Sequence, residues 1–348
     1  MSIYRTMRLV AVRDETPGCK SFFLETEDGR TLEYRAGQFL TFAFFNAAGE
    51  QRRSYSIVSA PGKPGPLMIT VRRIDNGEFS RFLFEKLTVG DTLLCTGTAG
   101  FFVLPADSTV ARQYFFFAAG TGITPMLPMI ELVLTADPEK HVTLIYSNRS
   151  IDSTLFFDQL NALRDKYAHR FVIEYLFSTD KNLARARLNK ERIVELLNAD
   201  RKFTIDRLLF YVCGPFDYMR MVKIALLEMG MHSSQVRMED FDPMPPNAGP
   251  EPPDKDAHLV SIRIDDQHFQ FYSRYPDTIL QSAKRNKIIL PYSCEAGRCG
   301  SCAAICERGK IWMRYNEVLL DEEIKEGRVL TCTGFAVGGD VSLSIVTK

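Results

Sequence analysis

Four cysteines near the C-terminus have the spacing of a metal–sulfur site. Three of them form the pattern C-x4-C-x2-C and the fourth follows later, at Cys294, Cys299, Cys302 and Cys332. This arrangement is typical of a plant-type 2Fe–2S cluster, in which a short loop wraps the metal and one distant thiolate completes the ligand set. The pattern therefore predicts a protein that transfers electrons one at a time.

A disulfide pair and a structural zinc ion are the alternatives for these thiols. Zinc ribbons use two short C-x2-4-C clips, whereas only Cys299 and Cys302 form one here. The remaining cysteines lie at scattered spacings that suggest no disulfide framework: Cys19, Cys95, Cys213 and Cys306. Free thiols indicate a reducing compartment, so the sequence predicts a cytoplasmic location.

A glycine turn in the middle of the chain is a candidate phosphate site. An apolar strand runs into Gly120, Thr121 and Gly122, and Pro125 stands at the first position of the helix that follows. The N-terminus of a helix offers unpaired N–H groups to a phosphate, and glycine lets the backbone approach it closely. Because such turns are common in α/β folds, this turn indicates a phosphate site only in combination with other motifs of the same region.

The last strand of the same region ends at a second candidate position. Its apolar residues are followed by Cys213, Gly214 and Pro215. Open α/β sheets bind ligands at the carboxyl ends of their parallel strands, which would place this thiol beside a ligand. An ordinary buried cysteine is the alternative, and by itself the commoner one.

The N-terminal region contains a strand with three candidate binding residues. Alternation along the strand puts Arg53 and Tyr55 on one face and Ser56 on the other. Side chains of these types can hold a phosphate, stack on a ring and donate to a ring nitrogen.

A further candidate phosphate site follows in the same region. The strand with Val71 and Arg72 leads to Gly77 and Ser80 at the start of a helix. A plain helix cap is an equally good interpretation of Ser80, and a solvated strand edge of Arg72.

Secondary-structure patterns divide the chain into a multi-domain α+β protein. Residues 1–106 have short strands between glycine, proline and aspartate, which predicts a small antiparallel β-barrel. Residues 107–241 alternate four strands with four helices, which predicts a Rossmann-like parallel sheet. Residues 242–256 contain six prolines and predict a semi-rigid spacer. In residues 257–348, two strands, a helix and the cysteine loop have the order of a β-grasp ferredoxin domain.

Composition narrows the choice of partners. Lysine plus arginine and aspartate plus glutamate each number 43, which gives no support for nucleic acid or an anionic membrane as a partner. Hydrophobic residues make up 45% of the chain, enough to fill several cores. No segment approaches the length of about 18 apolar residues that a membrane span needs, so no insertion is expected.

Taken together, the motifs around Arg53, Gly77, Gly120 and Cys213 resemble the ferredoxin–NADP reductase superfamily in order and spacing. With a ferredoxin domain at the C-terminus, the whole chain resembles the reductase components of multicomponent oxygenases. Among these, its domain order is most like that of the phenylacetyl-CoA epoxidase reductases.

This resemblance implies FAD, a nicotinamide coenzyme and roles for the candidate residues. It implies Arg53 on the FAD pyrophosphate, Tyr55 packed on the isoalloxazine and Ser56 near the flavin N5. It implies contacts of the same barrel with FAD by Val71, Arg72, Gly77 and Ser80. It implies a nicotinamide site framed by Gly120, Thr121, Gly122, Pro125, Cys213, Gly214 and Pro215. Tyr55, Ser56 and Cys213 are the implied catalytic residues.

Coenzyme preference depends on three further residues. Ser147 and Arg149 follow the second parallel strand, and Arg187 matches a second arginine of NADPH-preferring relatives. No acidic residue stands at the end of that strand to bind a free ribose 2′-hydroxyl. Because arginine forks suit phosphate, NADPH is expected; NADH remains open, and so does a surface role for Arg149.

The predicted function is an NAD(P)H-dependent oxidoreductase. A hydride passes from NADPH to FAD, and single electrons pass through the 2Fe–2S cluster to an external acceptor. The expected acceptor is the oxygenase component of a phenylacetyl-CoA epoxidase-like system. A general ferredoxin, flavodoxin or desaturase reductase is the first alternative, and a redox sensor or carrier module is an alternative of another class.

Overall fold

The computed structural model describes residues 4–47, 49–105, 111–182, 186–241 and 249–345. Internal contacts divide the chain into two compact units, Met1–Asp240 and Phe241–Lys348. The first unit contains an antiparallel and a parallel sheet, and the second contains a mixed sheet with a small two-stranded one. None of the helices in these ranges is both long enough and apolar enough to cross a bilayer.

A six-stranded antiparallel sheet forms the N-terminal half of the first unit. Its strands are β1 (Arg5–Thr16), β2 (Cys19–Thr26), β3 (Phe39–Asn46), β4 (Gly49–Ser56), β5 (Leu67–Arg72) and β6 (Thr92–Ala99), in the order β4-β3-β6-β1-β2-β5. A bridge between Ile57 and Ile69 joins the two edges, so the sheet closes into a barrel. Helix α1 (Glu78–Glu85) adds Phe79 and Leu83 to the barrel core.

A five-stranded parallel sheet forms the rest of the first unit. Its strands are β7 (Gln113–Ala119), β8 (His141–Asn148), β9 (Phe171–Phe177), β10 (Leu208–Cys213) and β11 (Val236–Glu239), in the order β11-β10-β7-β8-β9. Its helices are α2 (Met126–Ala136), α3 (Phe157–Lys166), α4 (Lys190–Asp200) and α5 (Phe216–Glu228). The strand order reverses between β7 and β10, where open α/β sheets bind their ligands.

Both faces of the parallel sheet are covered, which explains the unbroken aromatic run in β7. Tyr114 and Phe116 belong to a core with helix α2 on one face. Phe115 and Phe117 belong to a second core with helices α4 and α5. The central strand is therefore anchored on both sides, and the turn at its end is held on a rigid support.

The second unit is a β-grasp fold. Its main sheet contains β12 (His258–Ile264), β13 (Gln267–Ser273), β14 (Ala303–Arg308), β16 (Arg328–Leu330) and β18 (Val341–Ile345), in the order β13-β12-β18-β14-β16. Strands β15 (Ile311–Met313) and β17 (Gly334–Ala336) pair separately, and the helices are α6 (Ile279–Arg285) and α7 (Asp321–Lys325). Thr278 and Gln281 form a capping box that begins α6. The cysteine loop lies between α6 and β14.

The predicted fold class is confirmed in all three of its parts. The four strands and four helices expected after the barrel are all present, whereas β11 escapes prediction because it has four residues and adjoins the proline-rich segment. The predicted boundary between residues 106 and 107 lies outside the described residues.

The proline-rich segment differs in part from the predicted spacer. Residues 242–248 lie outside the described part of the chain. From Gly249 onward the segment contacts the rest of the second unit: Pro252 is buried, Tyr275 Oη donates to Glu251 over 2.9 Å, and Gly338 N donates to Asp254 over 2.7 Å. These residues are therefore fixed on the folded unit by hydrogen bonds that their composition does not reveal.

Candidate functional site

The four cysteines of the second unit come together as two pairs. Cys302 Sγ lies 3.1 Å from Cys332 Sγ, and the thiol of Cys299 lies within hydrogen-bonding reach of Cys294. Cys299, Cys302 and Cys332 are buried, and Cys294 is half-buried. No group of three or more histidine, cysteine or acidic side chains in the described ranges surrounds a single point closely enough for one ion. Two thiol pairs fit a binuclear cluster better than a mononuclear zinc site.

Backbone N–H groups of the cysteine loop are directed at sulfur. A hydrogen bond from the Cys299 thiol and N–H donors from Ala296 and Arg298 lower the pKa of Cys294 to about 6. Gly297 has φ +75° and leaves no room for a Cβ, which would lie 2.8 Å from Tyr315 O. The loop therefore favours the thiolate form of Cys294, whereas hydrogen bonds to the neighbouring thiol and burial raise the pKa of Cys299 and of Cys332 well above that of a free thiol. Four clustered thiols and N–H groups directed at sulfur fit the 2Fe–2S group that the cysteine spacing implies.

Residues of β4 and α1 form an aromatic and basic row on the barrel. The rings of Tyr55 and Phe79 stack with centroids 6.1 Å apart, and Phe79 stacks in turn on Phe44 at 4.8 Å. Arg53 is exposed and its guanidinium lies 5.8 Å from the Phe44 ring. Ser56 is buried at the end of β4. A charged group next to a stack of rings suits a ligand with both a phosphate and a flat aromatic part.

Ser80 is not the cap of helix α1. The N-cap residue is Gly77, without a side-chain cap. Ser80 Oγ instead accepts from Ile74 N over 3.1 Å and donates to Gly77 O over 3.0 Å. A Cβ on Gly77 would lie 2.6 Å from Ser80 Oγ, so the two residues fix the loop before the helix together. The cap interpretation is therefore wrong.

Arg72 connects the barrel with the glycine turn of the parallel sheet. Its guanidinium nitrogen would lie 3.3 Å from a Cβ on Gly120, which itself has φ +55°. The side chain is exposed, as at a solvated strand edge, and it also lies beside the turn. Its cation lies where a phosphate bound at the turn would need it.

The ends of β7 and β10 approach each other closely. A Cβ on Gly122 would overlap Cys213 O, and one on Gly214 would lie 2.8 Å from Ala119 Cβ. Thr124 Oγ1 donates to Thr121 O over 2.9 Å and tightens the turn. Only glycine fits at these contacts, and Pro125 follows as the N-cap of α2.

Glu239 is a site residue that the sequence pattern does not indicate. It pairs in register with Cys213 across β10 and β11 and is buried. Burial, reinforced by the carboxylates of Glu239 and Asp240, raises the pKa of Cys213 well above that of a free thiol. Cys213 is therefore a neutral thiol beside an acidic pair. The sequence signal that could have revealed Glu239 is the short strand after the last predicted helix.

Three family models match successive parts of the chain. The oxidoreductase FAD-binding domain matches residues 7–104, the oxidoreductase NAD-binding domain matches 116–224, and the 2Fe-2S iron-sulfur cluster binding domain matches 262–337. The E subunit of 1,2-phenylacetyl-CoA epoxidase from Escherichia coli (strain K12) is 30% identical, over 100% of this chain and 99% of the relative. The chain belongs to the family of iron–sulfur flavoprotein reductase components of oxygenases.

Other members and solved structures agree with this placement. The ferredoxin reductase component of 3-ketosteroid-9-alpha-monooxygenase from Rhodococcus rhodochrous is 30% identical over 92% of this chain and 91% of its own. Phthalate dioxygenase reductase has the same fold with a TM-score of 0.59 at 24% identity, over 98% of both chains. An intact type IV self-sufficient cytochrome P450 monooxygenase matches with a TM-score of 0.73 at 23% identity, over 98% of this chain and 41% of that one.

The reductase is thus an NAD(P)H-dependent oxidoreductase with FAD-binding, NAD-binding and 2Fe–2S domains. Ser147 lies at the carboxyl end of β8 and is half-buried, while Arg149 and Arg187 are exposed. Within the described ranges neither guanidinium forms an ion pair with a carboxylate. Both arginines are therefore available to an anionic ligand.

Two tyrosines, the buried Tyr146 and the half-buried Tyr218, donate to the backbone at the glycine turn and at the end of β7. Tyr146 Oη donates to Gly120 O over 3.0 Å, and Tyr218 Oη donates to Ala118 O over 3.2 Å. Burial raises the pKa of both phenols, so they remain donors. These two hydrogen bonds fix the backbone at the end of β7 and at the start of the turn.

The Tyr146→Phe variant is expected to raise the KM for the nicotinamide coenzyme about three- to tenfold, because one hydrogen bond to the turn is lost. Steady-state kinetics would measure the change. Tyr175→Phe is the matched control, since that hydroxyl donates to the Asn161 side chain, at 3.5 Å, and not to the turn. Equal effects of the two variants would contradict a role for Tyr146 at the turn.

Proposed function

We propose that this chain is the NADPH-dependent reductase component of an oxygenase system, and that its acceptor is the oxygenase component of a phenylacetyl-CoA epoxidase-like system. The observation that carries the proposal is the full-length similarity to the E subunit of 1,2-phenylacetyl-CoA epoxidase. Because that similarity covers nearly the whole of both chains, it includes the acceptor-facing ferredoxin domain as well as the flavin and nicotinamide domains.

The barrel residues bind and orient FAD in this proposal. Arg53 holds the pyrophosphate, Tyr55 packs on the isoalloxazine, and Ser56 hydrogen-bonds near the flavin N5. Gly77 and Ser80 present the loop before α1 to a phosphate, and the fixed hydrogen bonds of Ser80 keep that loop in place. Val71 packs in the barrel core and supports the strand on which the next residue lies.

The nicotinamide coenzyme lies at the switch point between β7 and β10 in this proposal. Gly120, Thr121 and Gly122 offer backbone N–H groups to its pyrophosphate, with Arg72 as a counter-charge from the barrel. Cys213 and Gly214 border the nicotinamide ring. The neutral thiol and the Glu239 side chain next to it are both buried at this position.

The cysteine loop supplies the exit for electrons. When bound, FAD would supply two-electron hydride chemistry and the 2Fe–2S cluster would supply one-electron chemistry, so that a two-electron donor could serve a one-electron acceptor. Cys294, Cys299, Cys302 and Cys332 hold the cluster. The proposed division is 1–106, 107–241, a linker at 242–256 and 257–348, with Glu251 and Asp254 of the linker hydrogen-bonded to the last domain.

The purified protein is expected to contain about one FAD, two irons and two acid-labile sulfides per chain, since one flavin site and one four-cysteine site are present. Metal and sulfide analysis with the visible spectrum measures this content. Zinc in place of iron, or the absence of flavin after gentle purification, would refute the proposal.

Turnover with candidate acceptors distinguishes the reductase from a sensor and from a general reductase. NADPH-driven reduction of a one-electron acceptor such as cytochrome c should be fast, and slow turnover would favour a sensor. Reconstitution with an epoxidase-type oxygenase component should support product formation. Support of a separate ferredoxin or flavodoxin but of no oxygenase would favour the general reductase.

A further inference from the structure

Residues 314–317, here termed the strap, bind the segment that carries the last cysteine. Arg314 N donates to Thr333 O over 2.9 Å, and Thr333 Oγ1 donates to Tyr315 O over 2.8 Å. Thr333 is buried and directly follows Cys332. The position of the Cys332 backbone is therefore tied to the strap at two points.

The same strap binds the loop that carries the first three cysteines. Glu317 N donates to Gly297 O over 3.0 Å. The buried guanidinium of Arg298 donates to Glu317 Oε2 over 3.1 Å, with 8% of the Arg298 side chain exposed. Water screens such a pair less than it screens surface ion pairs. The strap thus connects the two cysteine-bearing segments, which lie far apart in the sequence.

The beginning of the described proline-rich segment covers the outer side of the strap. Arg314 Nε donates to Pro250 O over 3.2 Å. A Cβ on Gly249 would overlap Tyr315 Oη and lie 2.6 Å from Tyr315 Cζ, so Gly249 lies directly against the tyrosine ring. Glu251 and Asp254 anchor the same segment through Tyr275 and Gly338.

We propose that residues 249–254 are a working part of the cluster site, with Gly249 and Glu317 as positioning residues. The segment packs against the strap, and the strap is hydrogen-bonded to Gly297 and Thr333. Gly297 lies in the cysteine loop and Thr333 adjoins Cys332, so the strap fixes the backbone positions of the cysteines. The inference rests on the assignment of the four cysteines as cluster ligands in the proposed function. It adds that residues 249–254, none of which is a cluster ligand, help to determine the stability and the midpoint potential of the cluster.

Two properties of the cluster follow from this positioning. A displaced strap loosens the cysteine loop, so the cluster is lost more easily to a chelator. It also moves loop N–H groups away from sulfur. Because those donors stabilise the more negative reduced cluster, their displacement makes the midpoint potential more negative.

The test uses the full-length protein with its cofactors and the variant Gly249→Val. Loss of the cluster's visible absorption in the presence of a chelator is expected to be about tenfold faster, the size of effect of one hydrogen bond to a charged group. The midpoint potential, followed by electron paramagnetic resonance, is expected to shift to a more negative value. Ala257→Val is the matched control, because Ala257 is an exposed small residue three positions after the segment.

A second pair of variants tests the inner contact of the strap. Glu317→Ala removes a carboxylate partner of Arg298 and should accelerate cluster loss, whereas Glu317→Gln keeps an acceptor oxygen and should restore part of the stability. If Gly249→Val does not fold, Gly249→Ala replaces it, since its Cβ alone overlaps the tyrosine.

The outcomes separate this inference from the proposed function. A wild-type protein without a 2Fe–2S cluster would refute the function itself. A loaded wild type with Gly249 variants that match Ala257→Val in both rate and potential would refute only the role of residues 249–254. Equal cluster loss in Glu317→Ala and wild type would likewise refute the strap.

Discussion

The Cys299→Ser variant is expected to lose transfer of electrons to the protein acceptor while its flavin still reacts with NADPH. Serine oxygen is a harder and poorer ligand for iron than a thiolate, so the cluster is lost or weakened. Cys299 belongs to the second compact unit, whereas the flavin and nicotinamide residues belong to the first. NADPH oxidation with ferricyanide, which takes electrons from flavin directly, should therefore continue.

Three measurements check this expectation. The iron content and the visible spectrum report the cluster, ferricyanide reduction reports the flavin, and product formation by the oxygenase component reports the whole path. Cys306→Ser is the matched control, because Cys306 follows the loop but its Sγ contacts the carbonyls of Arg308 and Gly309. Support of the oxygenase by Cys299→Ser at the wild-type rate would place the cluster off the electron path.

Replacement of Arg149 or Arg187 by alanine is expected to raise the KM for NADPH about ten- to hundredfold and to leave the KM for NADH nearly unchanged. The reason is that each replacement would remove a charge-assisted hydrogen bond between a guanidinium and the 2′-phosphate, a group that NADH lacks. Both side chains are exposed. Steady-state kinetics with the two coenzymes measures the difference.

An arginine elsewhere in the same domain provides the control for this experiment. Arg164 lies on α3 and pairs with Asp165 at 3.1 Å, so Arg164→Ala should alter neither KM. Equal changes for NADPH and NADH in the Arg149 or Arg187 variants would show that these side chains support the fold instead. A preference of the wild type for NADH would contradict the coenzyme assignment altogether.

Local patterns in the sequence were sufficient for the fold and for the type of chemistry. The cysteine spacing is set by the loop that must wrap a cluster, so it can be recognised without a structure. Strand and helix periodicity separates the barrel from the parallel sheet, because each element has to bury one face or both. The glycines at 120 and 122 mark the turn, since Gly120 has φ +55° and a Cβ on Gly122 would overlap Cys213 O.

Contacts between segments distant in the chain were decided only by the tertiary structure. Glu239 lies beside Cys213 because two strands pair in parallel register, and Arg72 reaches Gly120 because the barrel packs on the second sheet. The proline-rich composition predicts a spacer, yet Gly249 is packed against Tyr315. The composition of a segment shows how much apolar surface the segment itself can bury. Whether the segment packs against another surface depends on the tertiary fold that forms that surface.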